Sequence, residues 1–98
     1  MEITFADREL DACARETRRA IQRWGSEVGG KYPQRVVILA AAPDFAALYK
    51  LQFLRLHKLS GKHEGKYAIT LHGRWRIVLS RLSDHDVVIE EVTHHYGD

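Results

Sequence analysis

The sequence predicts an α+β domain: an N-terminal strand and two to three helices packed on a three- to four-stranded antiparallel sheet. Three observations predict it. In the first half of the chain, apolar residues recur at three- and four-residue steps, the period of an amphipathic helix. From Leu54 onward the period becomes two, as in half-buried strands. Short turn signals at Ser60-Gly61, His72-Gly73 and Ser83-Asp84-His85-Asp86 separate the alternating runs, which suits an antiparallel meander. A chain of 98 residues holds one core of modest size, and residues 1–98 are read as a single domain without linker, repeat or low-complexity segment.

Taken in order, Glu2-Ile3-Thr4-Phe5 alternates polar with apolar and reads as the first strand. Asp7 is placed to cap the helix after it. Leu10, Ala14, Thr17, Ile21, Trp24 and Val28 then fall on one helical face. The opposite face mixes Arg8, Arg15, Arg18, Arg19 and Arg23 with Glu9, Asp11 and Glu16, the pattern of a solvated surface. Gly25, Gly29 and Gly30 are expected to loosen the chain, and Pro33 to open a second helix over about Gln34 to Ala42. Pro43 would stop that helix, and Asp44 would cap a short third one carrying Phe45, Leu48, Tyr49 and Leu51. The strands are expected at Leu54 to His57, Tyr67 to Leu71, Trp75 to Ser80 and Val87 to His95.

The alternation carries a geometric expectation. If Trp75, Ile77 and Leu79 face the helices, Arg74, Arg76 and Ser80 face away. His72, His57 and one register of the terminal histidines are expected on that same outer face. Charge points there too. From Lys50 to Arg81 the chain carries eight Lys or Arg residues against one acid, Glu64, while its formal net charge is only +2. A basic face of this kind fits a polyanionic partner.

Other classes fit poorly. The run Val36 to Ala42 is too short to cross a bilayer, and the first residues lack the basic and apolar regions of a secretion signal, so a cytoplasmic protein is expected. Cys13 is the only cysteine; no internal disulfide is possible, and it reads as a small core residue. His57, His63, His72, His85, His94 and His95 match no metal-ligand template. No phosphate-cradling glycine loop and no nucleophile elbow is present, so neither metal nor cofactor is expected.

Three positions stand out chemically. His57, at a strand end, would alone be an ordinary edge histidine. Arg76, flanked by Trp75 and Ile77, needs an anionic partner, either Glu90 or Glu91 across the sheet or a phosphate. In His94-His95-Tyr96, strand geometry puts His94 and Tyr96 on one face and His95 on the other.

The runs Leu56-His57-Lys58-Leu59-Ser60-Gly61, Gly65-Lys66-Tyr67-Ala68-Ile69, Trp75-Arg76-Ile77-Val78 and Val92-Thr93-His94-His95-Tyr96 resemble the RelE/ParE toxin superfamily. The likeness is strongest to the HigB, or plasmid maintenance killer, branch of type II toxin–antitoxin systems. The resemblance spans nearly the whole chain and implies a microbial-RNase-like α+β fold. It further implies a ribosome-dependent, metal-independent mRNA endonuclease that arrests translation and growth. By matching position, it gives His57, Arg76 and His95 to catalysis, with Tyr96 or His94 stacking on or orienting a base. Arg55, Lys58, Lys62, Lys66 and Arg74 would bind flanking RNA phosphates. Thr93 and His94 stand where many members have Asp and Tyr, and Lys58 replaces a common Pro. The implied partners are the ribosome with its messenger and a helix-turn-helix, HigA-like antitoxin, through which alone operator DNA would be bound. Two other functions suit the same fold: a ParE-like gyrase-binding toxin without chemistry, and a silent antitoxin- or RNA-binding homologue.

Overall fold

A computed structural model describes residues 1–94 of the chain. Strand β1 (Glu2–Phe5) leads into helices α1 (Arg8–Arg15), α2 (Thr17–Trp24), α3 (Ser26–Ala41) and α4 (Phe45–Leu48). Strands β2 (His57–Lys58), β3 (Lys66–His72), β4 (Trp75–Ser83) and β5 (Asp86–Thr93) follow. The sheet order is β1-β5-β4-β3-β2. The last four strands form the expected antiparallel meander, and β1 adds to its far edge in parallel with β5. One sheet face packs on the helices through Ile69, Leu71, Ile77, Leu79, Val87 and Ile89, all essentially buried. The other face, open in that no described helix packs on it, carries a small buried cluster of Leu59, Ala68 and Val78.

The helical half departs from the expected boundaries. Asp7 does cap α1, accepting from the Leu10 amide at 2.8 Å, but the helix ends at Glu16, whose φ is −127° and ψ 104°. An elbow there folds α2 back. Glu9 and Arg19 would lie about 15 Å apart along a straight helix; instead Arg19 Nη2 reaches Glu9 Oε1 at 2.7 Å. That guanidinium holds the half-buried Glu9 carboxyl below its ordinary range.

Of the three glycines expected to loosen the chain, only Gly25 does so, at φ +89°. Helix α3 runs uninterrupted through Gly29, Gly30 and Pro33, against the expectation that Pro33 opens a new helix. Packing overrides the local signals. Gly29 presses on α2 so closely that a Cβ there would stand 2.4 Å from the Ile21 nitrogen. Tyr32, fully buried, donates its hydroxyl to the Leu10 carbonyl at 2.8 Å and meets Trp24 edge-on with ring centroids 4.9 Å apart. Burial pushes the Tyr32 phenol well above its ordinary pKa, so it remains a donor. These contacts tie α1, α2 and α3 together around Pro33. Cys13 is buried as expected. Burial first, then the neighbouring Glu9 carboxylate, raises its thiol pKa.

Asp44 caps α4, accepting from the Ala47 amide at 2.9 Å. Residues 54–57 are not the expected four-residue strand. Gln52–Leu54 is a 3₁₀ turn, Arg55 takes left-handed φ +51°, and β2 holds only His57 and Lys58. Three register shifts mark the sheet: between Thr70 and His72 on β3, between Ile89 and Glu91 on β5, and between Arg81 and Ser83 on β4.

Candidate active site

Register sorts the site residues between the two faces. His57 pairs with Ala68, Ala68 with Val78, and Val78 with Glu91. Ala68 and Val78 form a small cluster with Leu59, separate from the main core, so this row lies on the open face. One pleat along, Thr70, Arg76 and Thr93 make a second row on that face. One pleat the other way, Lys66, Ser80 and Val88 make a third. His57 and Arg76 are thus diagonal neighbours across β3, with Cα atoms roughly 12 Å apart from strand spacing and rise.

His57 is held in a defined state. Its Nδ1 lies 2.9 Å from the Arg55 carbonyl oxygen. A carbonyl can only accept, so Nδ1 carries the proton of the neutral ring and Nε2 is its basic nitrogen. The same exposed ring sits beside a backbone strained at Arg55, a non-glycine residue in the left-handed region; such strain clusters at functional sites. Arg55, expected to bind RNA, therefore contributes its carbonyl to orienting His57.

Arg76 is half-buried at mid-sheet. Its Nη1 donates to the Gly73 carbonyl at 2.6 Å and to the Trp75 carbonyl at 2.9 Å. These bonds fold the guanidinium over the β3–β4 turn and fix its plane. The guanidinium is thereby held in one orientation on this face.

The other expected site residues divide. Lys66 is on the open face. Lys62 is exposed in a 3₁₀ turn, Gly61–His63, beyond β2, and Arg74 is exposed in the β3–β4 turn. Lys58 pairs with Tyr67, which faces the helices, so it points away from His57 and lines a cleft of about 550 Å³ with Leu59, Ser60 and Glu64. His94 packs at a tilt against Trp75, ring centroids 4.4 Å and planes 44° apart. His95 and Tyr96 lie outside the described residues.

His72 corrects the expectation for the open face. The β3 bulge sets it opposite Trp75, on the helix side, where its Nδ1 is 3.1 Å from Lys31 Nζ and 3.9 Å from Glu27 Oε2. The two acids expected as possible partners of Arg76 also lie on this face. Glu90 accepts from Ser80 Oγ at 2.6 Å, and Glu91 faces outward with Val78. The signal was present. After Ile89, two consecutive acids precede Val92, which breaks strict alternation and marks a bulge. Among the described residues, no group of three His, Cys, Asp or Glu side chains could hold a metal ion.

Comparison with solved structures finds this arrangement of helices and sheet elsewhere. The chain is similar to a chain of the YoeB–YefM complex from Staphylococcus aureus, with TM-score 0.60, 18% identity, and 98% of each chain covered. It is also similar to the YoeB/ParE toxin from Agrobacterium tumefaciens, with TM-score 0.57, 14% identity, and 98% of this chain and 100% of that chain covered. The fold is that of the YoeB/ParE toxins. The expected RelE-like architecture is therefore present over nearly the full chain. No protein-family model matches the sequence, and no curated protein matches it. In this YoeB/ParE fold, the helix layer backs the sheet and leaves the face bearing His57 and Arg76 uncovered by helices.

Proposed function

We propose that the chain is the toxin of a type II toxin–antitoxin module and acts as a ribosome-dependent mRNA endonuclease of HigB type. The observation that carries this reading is His57. Its Nδ1 is tied to a backbone carbonyl, which makes Nε2 the ring nitrogen that transfers protons, and a guanidinium held by two carbonyls lies diagonally across one strand. Cleavage needs those parts. The 2′-hydroxyl of the messenger attacks the adjacent phosphorus, one group takes its proton, another protonates the leaving 5′-oxygen, and a cation stabilises the phosphorane. Arg76 clamps the phosphate, His57 supplies one proton-transfer group, and His95 is the second by resemblance. Tyr96 or His94 orients a base, while Lys62, Lys66 and Arg74 follow the RNA backbone. The ribosome holds the messenger in place, so positioning is shared between enzyme and ribosome.

The S. aureus neighbour was solved with a second protein, YefM, which supports a cognate antitoxin here, by resemblance a helix-turn-helix protein that carries the operator-DNA affinity. The Agrobacterium neighbour bears the ParE name as well, and a gyrase-binding toxin is the competing function. An oriented histidine on a basic face favours the nuclease. Substituting His57, Arg76 and His95 singly with alanine, and inducing each in a bacterial host, tests the assignment. Each folded variant is expected to lose growth arrest. Full toxicity of all three would show the site to be wrongly placed.

A further inference from the structure

The open face holds a third reactive group whose placement depends on a backbone irregularity. Leu79 pairs with Ile89, but Val78 pairs with Glu91. Glu90 is thus the extra residue of a bulge, and both acids are delivered to the open face before Val92 returns to the core opposite Ile77. Without the bulge, alternation would turn the Glu91 carboxylate toward the helices, into apolar packing, where a lone charge is costly. Bulges beside active sites commonly re-aim a side chain in this way.

The two acids have different fates. Ser80 holds Glu90 at 2.6 Å, toward the Lys66 end of the face. Half-buried Glu91 has no hydrogen-bond or ion-pair partner among the described residues and lies at the centre. It shares the row of His57, with Cα atoms roughly 14 Å apart by strand spacing. Ala68 and Val78 stand between them in that row, both fully buried and packed with Leu59. Two side chains, two hydrogen bonds and an O–P–O axis fill such a span. Arg76 sits on the neighbouring strand, diagonal to Glu91, at a Cβ separation of roughly 7 Å.

We propose that Glu91 is a catalytic residue of this site, the base that takes the 2′-hydroxyl proton of the RNA. As the O2′–P bond forms, the proton passes to the Glu91 carboxylate. As the P–O5′ bond breaks, O5′ takes a proton from Nε2 of His57, and Arg76 holds the non-bridging oxygens. The products are a 2′,3′-cyclic phosphate and a 5′-hydroxyl, and exchange with water resets both groups. This assigns to Glu91 a part that the resemblance gives to His95. Among the described residues, the charged or titratable neighbours on the face are His57, Arg76, Lys66 and Glu90.

The inference rests on the nuclease reading, and one experiment separates their failures. Messenger cleavage on purified programmed ribosomes is followed at single turnover across pH, for the wild type and for Glu91→Gln, Glu91→Asp and Glu90→Gln, each checked by thermal melting. Glu91→Gln is expected to lose roughly 100- to 10,000-fold in rate and the rise on the acid side of the profile. Glu91→Asp keeps that rise at a lower rate, and Glu90→Gln keeps it as well. Wild-type rate and profile in Glu91→Gln, or loss of the rise in Glu90→Gln alone, overturns the assignment while leaving the nuclease reading intact. If Glu91→Gln does not fold, a Glu91→Asp profile without the acid-side rise overturns it equally. No cleavage by the wild type removes both.

Discussion

Arg76→Ala is expected to lower messenger cleavage by roughly 100- to 1,000-fold, about 3 kcal/mol of transition-state stabilisation, as for loss of one preorganised donor at a developing charge. The magnitude follows from preorganisation. The guanidinium is already fixed by the Gly73 and Trp75 carbonyls at 2.6 and 2.9 Å, so little reorganisation is needed when charge grows on the phosphorane. Arg76→Lys should recover only part of the rate, because an ammonium supplies charge without the planar fork. The two carbonyl bonds also support the turn, so melting curves are needed beside the rates. A folded Arg76→Ala protein with undiminished cleavage would remove Arg76 from the site.

Gly29→Ala is expected to be the most damaging small substitution in the helical layer. Its Cβ would stand 2.4 Å from the Ile21 nitrogen and 2.5 Å from the Ala20 carbonyl carbon and oxygen. These are backbone atoms of α2 and cannot turn aside as a side chain can, so the helices must separate. Overpacking of this kind reaches about 3 kcal/mol, which in a domain this small lowers Tm by roughly 12–24 °C. Gly30→Ala is the matched control. A Cβ at Gly30 meets nothing within 4 Å, and in a helix the change should stabilise by about 0.5–1 kcal/mol. Thermal melts of the two variants check the contrast; equal behaviour would mean that α2 and α3 do not pack as described.

The strands were more legible in the sequence than the helices, and the reason is physical. Trp75, Ile77 and Leu79 alternate with Arg76, Val78 and Ser80 because β4 lies mid-sheet, with one side on the core; a period of two survives there with little help from context. The helical breaks depend on distant contacts. Glu16 bears no breaker residue, and the elbow it makes is fastened by Glu9 and Arg19, ten positions apart in the chain. Gly29 and Pro33 look like punctuation, yet the helix passes through both because α2 and Tyr32 pack against it.

Within the site, His57 and Arg76 were found from sequence because both lie on, or just beside, a regular alternation. His72 was misplaced, and Glu91 was read only as a possible partner of Arg76, for one cause. Each follows a bulge that shifts the phase of its strand by one residue, and period-two counting cannot see a shift it does not assume. Lys58 was expected among the RNA-facing cations, but β2 is two residues long and its only other member, His57, takes the open face.

The central claim is that the face bearing His57 and Arg76 cuts translated messenger. Mapping mRNA 5′ ends after inducing the wild type in a bacterial host tests it most directly. New 5′-hydroxyl ends phased with codons, confined to translated regions and lost in His57→Ala, are the predicted result. Growth arrest with intact messenger and a DNA-damage response would contradict it and point to gyrase.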